Sequence, residues 1–143
     1  MIIHDRPPIF ARILAAFPRA DYPGVLFAYD GNIYNPSGIH IPSPLIAHET
    51  VHLTRQKMPG TDPDDWWTHY IEDSGFRYHE ELLAHAAEMQ TYFQVPGDRN
   101  ARARILTYTA GRLVAPLYNY QPPRTFAHAI GDLRNEVEHE QRT

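Results

Sequence analysis

Proline punctuates this chain and marks where several of its helices can start or stop. There are 13 prolines in 143 residues. Inside a helix proline removes a backbone donor and collides with the preceding turn, so helices begin at prolines or end before them. Ile9, Phe10, Ile13, Leu14 and Phe17 recur at helical spacing between Pro8 and Pro18, which predicts a short helix. From Gly24 the period changes. Val25-Leu26-Phe27-Ala28-Tyr29 is β-prone, Asp30-Gly31 is a hairpin turn signal, and Ile33-Tyr34 can form the returning strand. Pro36-Ser37-Gly38 makes a second turn before Ile39-His40-Ile41. The expectation is a small antiparallel meander of two or three strands, the last kept short by Pro42 and Pro44.

Helical spacing then returns. Ser43-Pro44 reads as a cap followed by a first helical residue, opening a helix over 43–57 that Met58-Pro59-Gly60 closes. Asp62 caps the next helix, with Pro63 as its first residue, Trp66, Trp67, Tyr70 and Ile71 on its core side, and Ser74-Gly75 as its break. Residues 76–93 carry an apolar stripe of Leu82, Leu83, Ala86, Met89 and Phe93. Beside it runs a polar stripe of Glu81, His85, Glu88 and Tyr92. After the turn Val95-Pro96-Gly97-Asp98, a helix is expected over 99–118, weakened or bent at Gly111 and Pro116. A last helix is expected to run from Pro122-Pro123 through Val137, with a fraying charged tail over 136–143. The fold class is α+β, mainly helical, in a single domain over residues 1–143.

Within the helix over 43–57 lies His48-Glu49-Thr50-Val51-His52. Two histidines one helical turn apart project from one face and can reach a single metal ion. The glutamate between them is close enough to deprotonate a metal-activated water. With no cysteine in the chain, any metal must be held by histidine and carboxylate. The extended three-histidine pattern fails, because the positions it needs are Arg55 and Met58. A glutamate on a following helix is the other common solution. Glu81 is best placed, beginning the polar stripe, with Glu80 as rival and His85 as a further candidate ligand.

Composition excludes other classes. A formal charge of −4 without long like-charged blocks leaves no electrostatic footprint for nucleic acid, and Arg99, Arg102 and Arg104 read as a solvated helix face. No apolar run approaches membrane-spanning length, and the first residues lack the pattern of a signal peptide. A cytoplasmic location is the default expectation, and a virion component would look the same.

The first motif, followed by a helix carrying Arg77-x-x-Glu80-Glu81-x-x-Ala84, resembles the gluzincins. It is similar more closely to the minimal zinc metallopeptidase domains of phage and bacterial genomes. The resemblance covers about half the chain, roughly residues 25–93. It implies a zincin-like domain binding one Zn2+, with His48, His52 and Glu81 as ligands and Glu49 as general base for peptide-bond hydrolysis. It also implies a peptide or protein substrate held extended along the strand before the active helix, pointing to Ile39-His40-Ile41. One position departs from the pattern. Many gluzincins carry an aspartate four residues after the ligand glutamate to orient a zinc histidine, and here that residue is His85. Asp73 or Glu88 is the expected substitute. An oxyanion donor is expected among Tyr78, Tyr92, Tyr108, Tyr118, Tyr120 and His128. The alternative is a catalytically weak or inactive zincin-fold binding or assembly module with a structural zinc.

Overall fold

Asp30 and Gly31 both adopt positive φ, 47° and 82°, the paired left-handed geometry of a two-residue hairpin turn. In the computed structural model, which describes residues 1–94 and 97–142, this turn joins β2 (Phe27–Tyr29) to β3 (Asn32–Tyr34). The pairing is antiparallel, with Ala28 opposite Ile33. The third strand is not the one expected. Residues 39–41 are unpaired, and β1 (Ile2–Ile3) lies parallel to β3 instead, giving the order β1-β3-β2 and a mixed sheet rather than an antiparallel meander. Two bonds explain the exchange: Ile33 N–H donates to Met1 C=O and Asn35 N–H to Ile3 C=O. These occupy the free edge of β3. The Asn35 side chain then donates to Ile39 C=O at 2.8 Å, turning the following segment away from the sheet.

Helices make up most of the chain. α1 (Phe10–Ala16) buries Phe10 and Ile13, and Pro18 opens a short 3-10 turn (Pro18–Asp21) instead of simply ending the run. α2 (Ser43–Gln56) is capped by Pro42 and not by Ser43, which lies inside the helix and makes no side-chain capping bond. α3 (Pro63–Glu72) begins as its sequence predicts, the Asp62 carboxylate accepting from Asp65 N–H at 2.8 Å. Its end is Asp73 and not Ser74-Gly75, which form the first turn of α4 (Ser74–Phe93). Asp73 serves both helices: its N–H donates to His69 C=O and its carboxylate accepts from Phe76 N–H.

α5 (Arg99–Leu113) is shorter than the spacing predicts, because Ala115, preceding Pro116, is forced into an extended conformation. Gly111 does not interrupt it. The 3-10 turn Pro116–Tyr118 follows. α6 (Phe126–Arg142) starts later than Pro122-Pro123, with Thr125 Oγ1 accepting from His128 N–H, and its regular structure continues beyond Val137 to Arg142. The expected turn at Val95-Pro96 and the last residue of the expected fraying tail, Thr143, lie outside the described residues.

α4 is the central member, touching α2, α3, α5 and α6. On one side it joins α5 and α6 in an apolar core containing Met89, Leu113 and Leu133. A second core gathers Phe10, Ile13 and Phe27 with Trp66, Trp67 and Tyr70 of α3. The tryptophan pair is therefore interior. Arg99, Arg102 and Arg104 are solvent-exposed as expected. Among the described residues no helix is long and apolar enough to cross a membrane.

Candidate metal centre

The polar stripe of α4 is buried more deeply than part of its apolar stripe. Glu81, His85 and Glu88 are 2%, 0% and 0% exposed, whereas Leu82 and Leu83 are only half-buried. The reason is α2, which lies across α4 and presents His48, Glu49 and His52 to that stripe. Helical spacing on both elements brings six ionisable side chains together between the two apolar cores.

Glu81 is the meeting point. Its Oε1 is 3.3 Å from His48 Nε2, and its Oε2 is 3.0 Å from His52 Nε2. Tyr70 Oη donates to the same Oε2 at 2.8 Å and fixes the carboxylate. Donor atoms about 3.3 Å apart are what a tetrahedral ion with bonds near 2.0 Å requires. Glu81 Oε1 is also buried with no hydrogen-bond partner, as are the Nδ1 atoms of His48 and His52. An unsatisfied buried carboxylate oxygen between two imidazole nitrogens is costly unless a cation or proton sits among them. The donor set therefore fits a metal ion. Buried His48, His52, Glu81, His85 and Glu88 lie close enough to hold one.

Glu80, the rival to Glu81, is committed elsewhere. It is 1% exposed and accepts from Arg55 Nε and from Trp66 Nε1, tying α4 to α2 and α3. Asp73 is exposed and engaged in capping. Glu88 takes the place that the substitute carboxylate was expected to fill, its Oε1 lying 3.3 Å from His48 Nδ1, at ion-pair distance. Behind it, Arg112 Nη1 donates to both Glu88 oxygens. His85 Nδ1 donates to Glu81 C=O at 2.7 Å, which leaves its Nε2 as a lone pair, buried and unpartnered beside the His48 ring. His48, His85 and Glu88 form a second close set of donor atoms sharing His48.

The charges follow from this crowding. Burial opposes a positive charge on His48, but Glu81, Glu88 and Glu49 outweigh it and raise the imidazole to about 10. Burial likewise pushes Glu81 up, yet His52 and His48 hold it well below the usual carboxylate range. Burial and the charge on His48 take His85 down to about 3, so it is neutral. Glu88 is driven up by burial and then down to about 2 by His48, His85 and Arg112. Glu49 goes the other way: burial raises it, and the neighbouring His48 and His52 only partly offset this. Its nearest carboxylate–imidazole approach, Oε1 to His48 Nε2, is 3.9 Å.

The centre opens on a cavity of about 310 Å³ lined by His48, Glu49, His52, Glu81, Arg112 and Tyr118, with apolar walls. Ile39, His40 and Ile41, where the resemblance points for extended peptide, do not line it. Residues 24–28 do, with Val25 and Leu26 leading from a turn into β2. Of the six expected oxyanion donors, Tyr118 alone is on the cavity wall. Tyr78 Oη is given to Asp132 and Tyr120 Oη to Leu113 C=O, while Tyr108 and His128 are exposed.

Two residues escaped the sequence. Tyr70 reads as a core aromatic, which it also is, and nothing local shows its hydroxyl reaching a residue 11 positions away. Arg112 stands beside the buried Leu113, but its partner lies 24 positions back on another helix. Comparison with protein-family models, curated proteins and solved structures gives no match for this chain, and the assignment of the centre rests on its geometry.

Proposed function

We propose that the chain is a zinc-dependent hydrolase of peptide or amide bonds. The observation that carries this reading is the position of Glu49. It lines the same cavity as the His48–His52–Glu81 set, yet its carboxylate is 3.9 Å from the nearest imidazole nitrogen and makes no hydrogen bond among the described residues. Three protein ligands with an open side are the arrangement of catalytic rather than structural zinc. When bound, zinc supplies the Lewis acidity that activates water near neutral pH and polarises the scissile carbonyl.

The side chains divide the remaining work. Glu49, raised by burial, is suited to take a proton from the attacking water and return it to the leaving nitrogen. Tyr118 is the hydroxyl available to the developing oxyanion. Tyr70 keeps Glu81 in place, and Glu88 stands at ion-pair distance from Nδ1 of His48, on the far side of the ring. On the cavity wall Val25 N–H is taken by Tyr22 C=O, and the backbone of Leu26, which makes no such bond among the described residues, is the part offered to an extended substrate.

The test is zinc content together with the Glu49→Gln variant. The expected result is about one zinc per chain, chelator-sensitive hydrolysis, and a loss of about 10²–10⁴-fold in rate in Glu49→Gln with zinc retained. A Glu49→Gln protein as active as wild type would sink the mechanism. The near-complete burial of His48, His52 and Glu81 favours a second reading, a binding or assembly module with structural zinc. It predicts no turnover on any peptide, and His48→Ala acting mainly on the melting temperature.

A further inference from the structure

We infer that Arg112 anchors a carboxylate of the substrate, so that the cavity takes peptides bearing a free acid beside the bond to be cut. The inference rests on the hydrolytic reading above and adds a substrate class to it. Arg112 is the one Lys or Arg among the residues lining the cavity. Its Nη1 is spent on Glu88, whereas Nε and Nη2 make no hydrogen bond among the described residues, leaving three N–H donors. The side chain is 31% exposed, although the Glu88 carboxylate it holds is fully buried.

The planar guanidinium fork matches a carboxylate through two parallel bonds, which neither lysine nor a neutral donor reproduces. Here the fork is held in advance by its buried partner, so little rotamer freedom remains to be lost on binding. Around it the wall is largely apolar, with Val25, Leu26, Phe27, Leu45 and Leu117 supplying no side-chain donor for a polar end group. Glu88 contacts both Arg112 and His48, which places the anchor beside the ligand set and not within it. The carboxylate can come from the C-terminus of a chain or from an Asp or Glu side chain.

Paired substrates separate these sources. Zinc-loaded protein is given N-acetyl-Phe-Leu against its C-terminal amide, and N-acetyl-Phe-Glu amide against N-acetyl-Phe-Gln amide. The expected result is a preference of about tenfold or more in kcat/KM for the acid member of one pair, the scale of a charge-assisted bond. The first pair responding identifies a chain terminus, the second an acidic side chain. In Arg112→Lys, which keeps the charge opposite Glu88 but loses the fork, the preference should fall towards unity. Equal use of acid and amide in both pairs by wild type overturns the inference, as does an undiminished preference in Arg112→Lys. If that variant does not fold, calorimetry on chelator-treated wild type replaces it: acid-selective binding without zinc supports Arg112, and its loss assigns the preference to the ion. If nothing is cleaved, the same titrations on zinc-loaded protein decide the anchor separately. Tighter binding of the acid keeps the anchor while the hydrolytic reading fails, and equal or absent binding removes it.

Discussion

Glu88 Oε1 stands 3.3 Å from Nδ1 of His48, on the side of the ring away from Glu81, and its own carboxylate is held by Arg112. A carboxylate there fixes the ring and makes its other nitrogen a better ligand. Glu88→Gln is expected to weaken zinc binding by about 10–100-fold. Competition against a chromophoric chelator measures this directly, and an unchanged affinity would remove Glu88 from the centre.

Tyr118 and its neighbours should part company on mutation. Tyr118→Phe is expected to lower kcat by about 10²-fold, as loss of one oxyanion donor does, with zinc content and melting temperature preserved. Tyr78→Phe and Tyr120→Phe lose bonds to Asp132 and Leu113 C=O instead, costing about 1 kcal/mol of stability each while activity survives. Rates and thermal melts on the three variants settle the assignment.

Glu80 should behave as part of the frame. Glu80→Ala strips partners from Trp66 Nε1 and Arg55 Nε at a site 1% exposed. Breaking this pair should cost about 3 kcal/mol, discounted because Arg55 is partly solvated. Denaturant unfolding gives the loss; zinc stoichiometry should stay at wild type in the folded fraction. A loss of zinc with unchanged stability would reverse the roles given to Glu80 and Glu81.

Without metal, the centre should make stability depend on pH at both ends. His48 is raised from 6.5 to about 10, so its contribution is complete below pH 6.5 and disappears as pH climbs through about 10. Glu88 is lowered from 4.5 to about 2, so its contribution is present above pH 4.5 and is lost as pH falls through about 2. His85, taken from 6.5 down to about 3, costs stability as pH falls below 6.5, so chelator-treated protein should melt highest near pH 6.5. Zinc must displace the His48 proton, so its affinity should rise with pH. Melting curves across pH with and without chelator test both slopes.

Local signals carried far in this chain. Prolines and apolar spacing placed the helices, and Asp30-Gly31 placed the hairpin, because each is decided by a few adjacent residues. The grouping of His48, His52 and Glu81 was legible for the same reason: periodicity fixes which residues share a face, and two polar faces in one small domain tend to meet. What was hidden is non-local. The edge of β3 goes to Ile2–Ile3 instead of residues 39–41, a competition between segments that neither sequence announces. Arg112 and Tyr70 reach the centre across helix contacts, and the choice between Glu80 and Glu81 turns on the rotation of α4 about its axis.

Asp73 closes α3 and opens α4 with no residue to spare, so the two helices form an elbow without slack. Tyr70 stands just before the elbow and Glu81 two turns after it, which means their bond is made when the chain folds. An arriving ion then meets a carboxylate already aimed and need not recruit one from solvent. Much of the ordering cost of metal capture is thereby transferred to folding, and lengthening the elbow by a single glycine after Asp73 should slow metal uptake more than it speeds release.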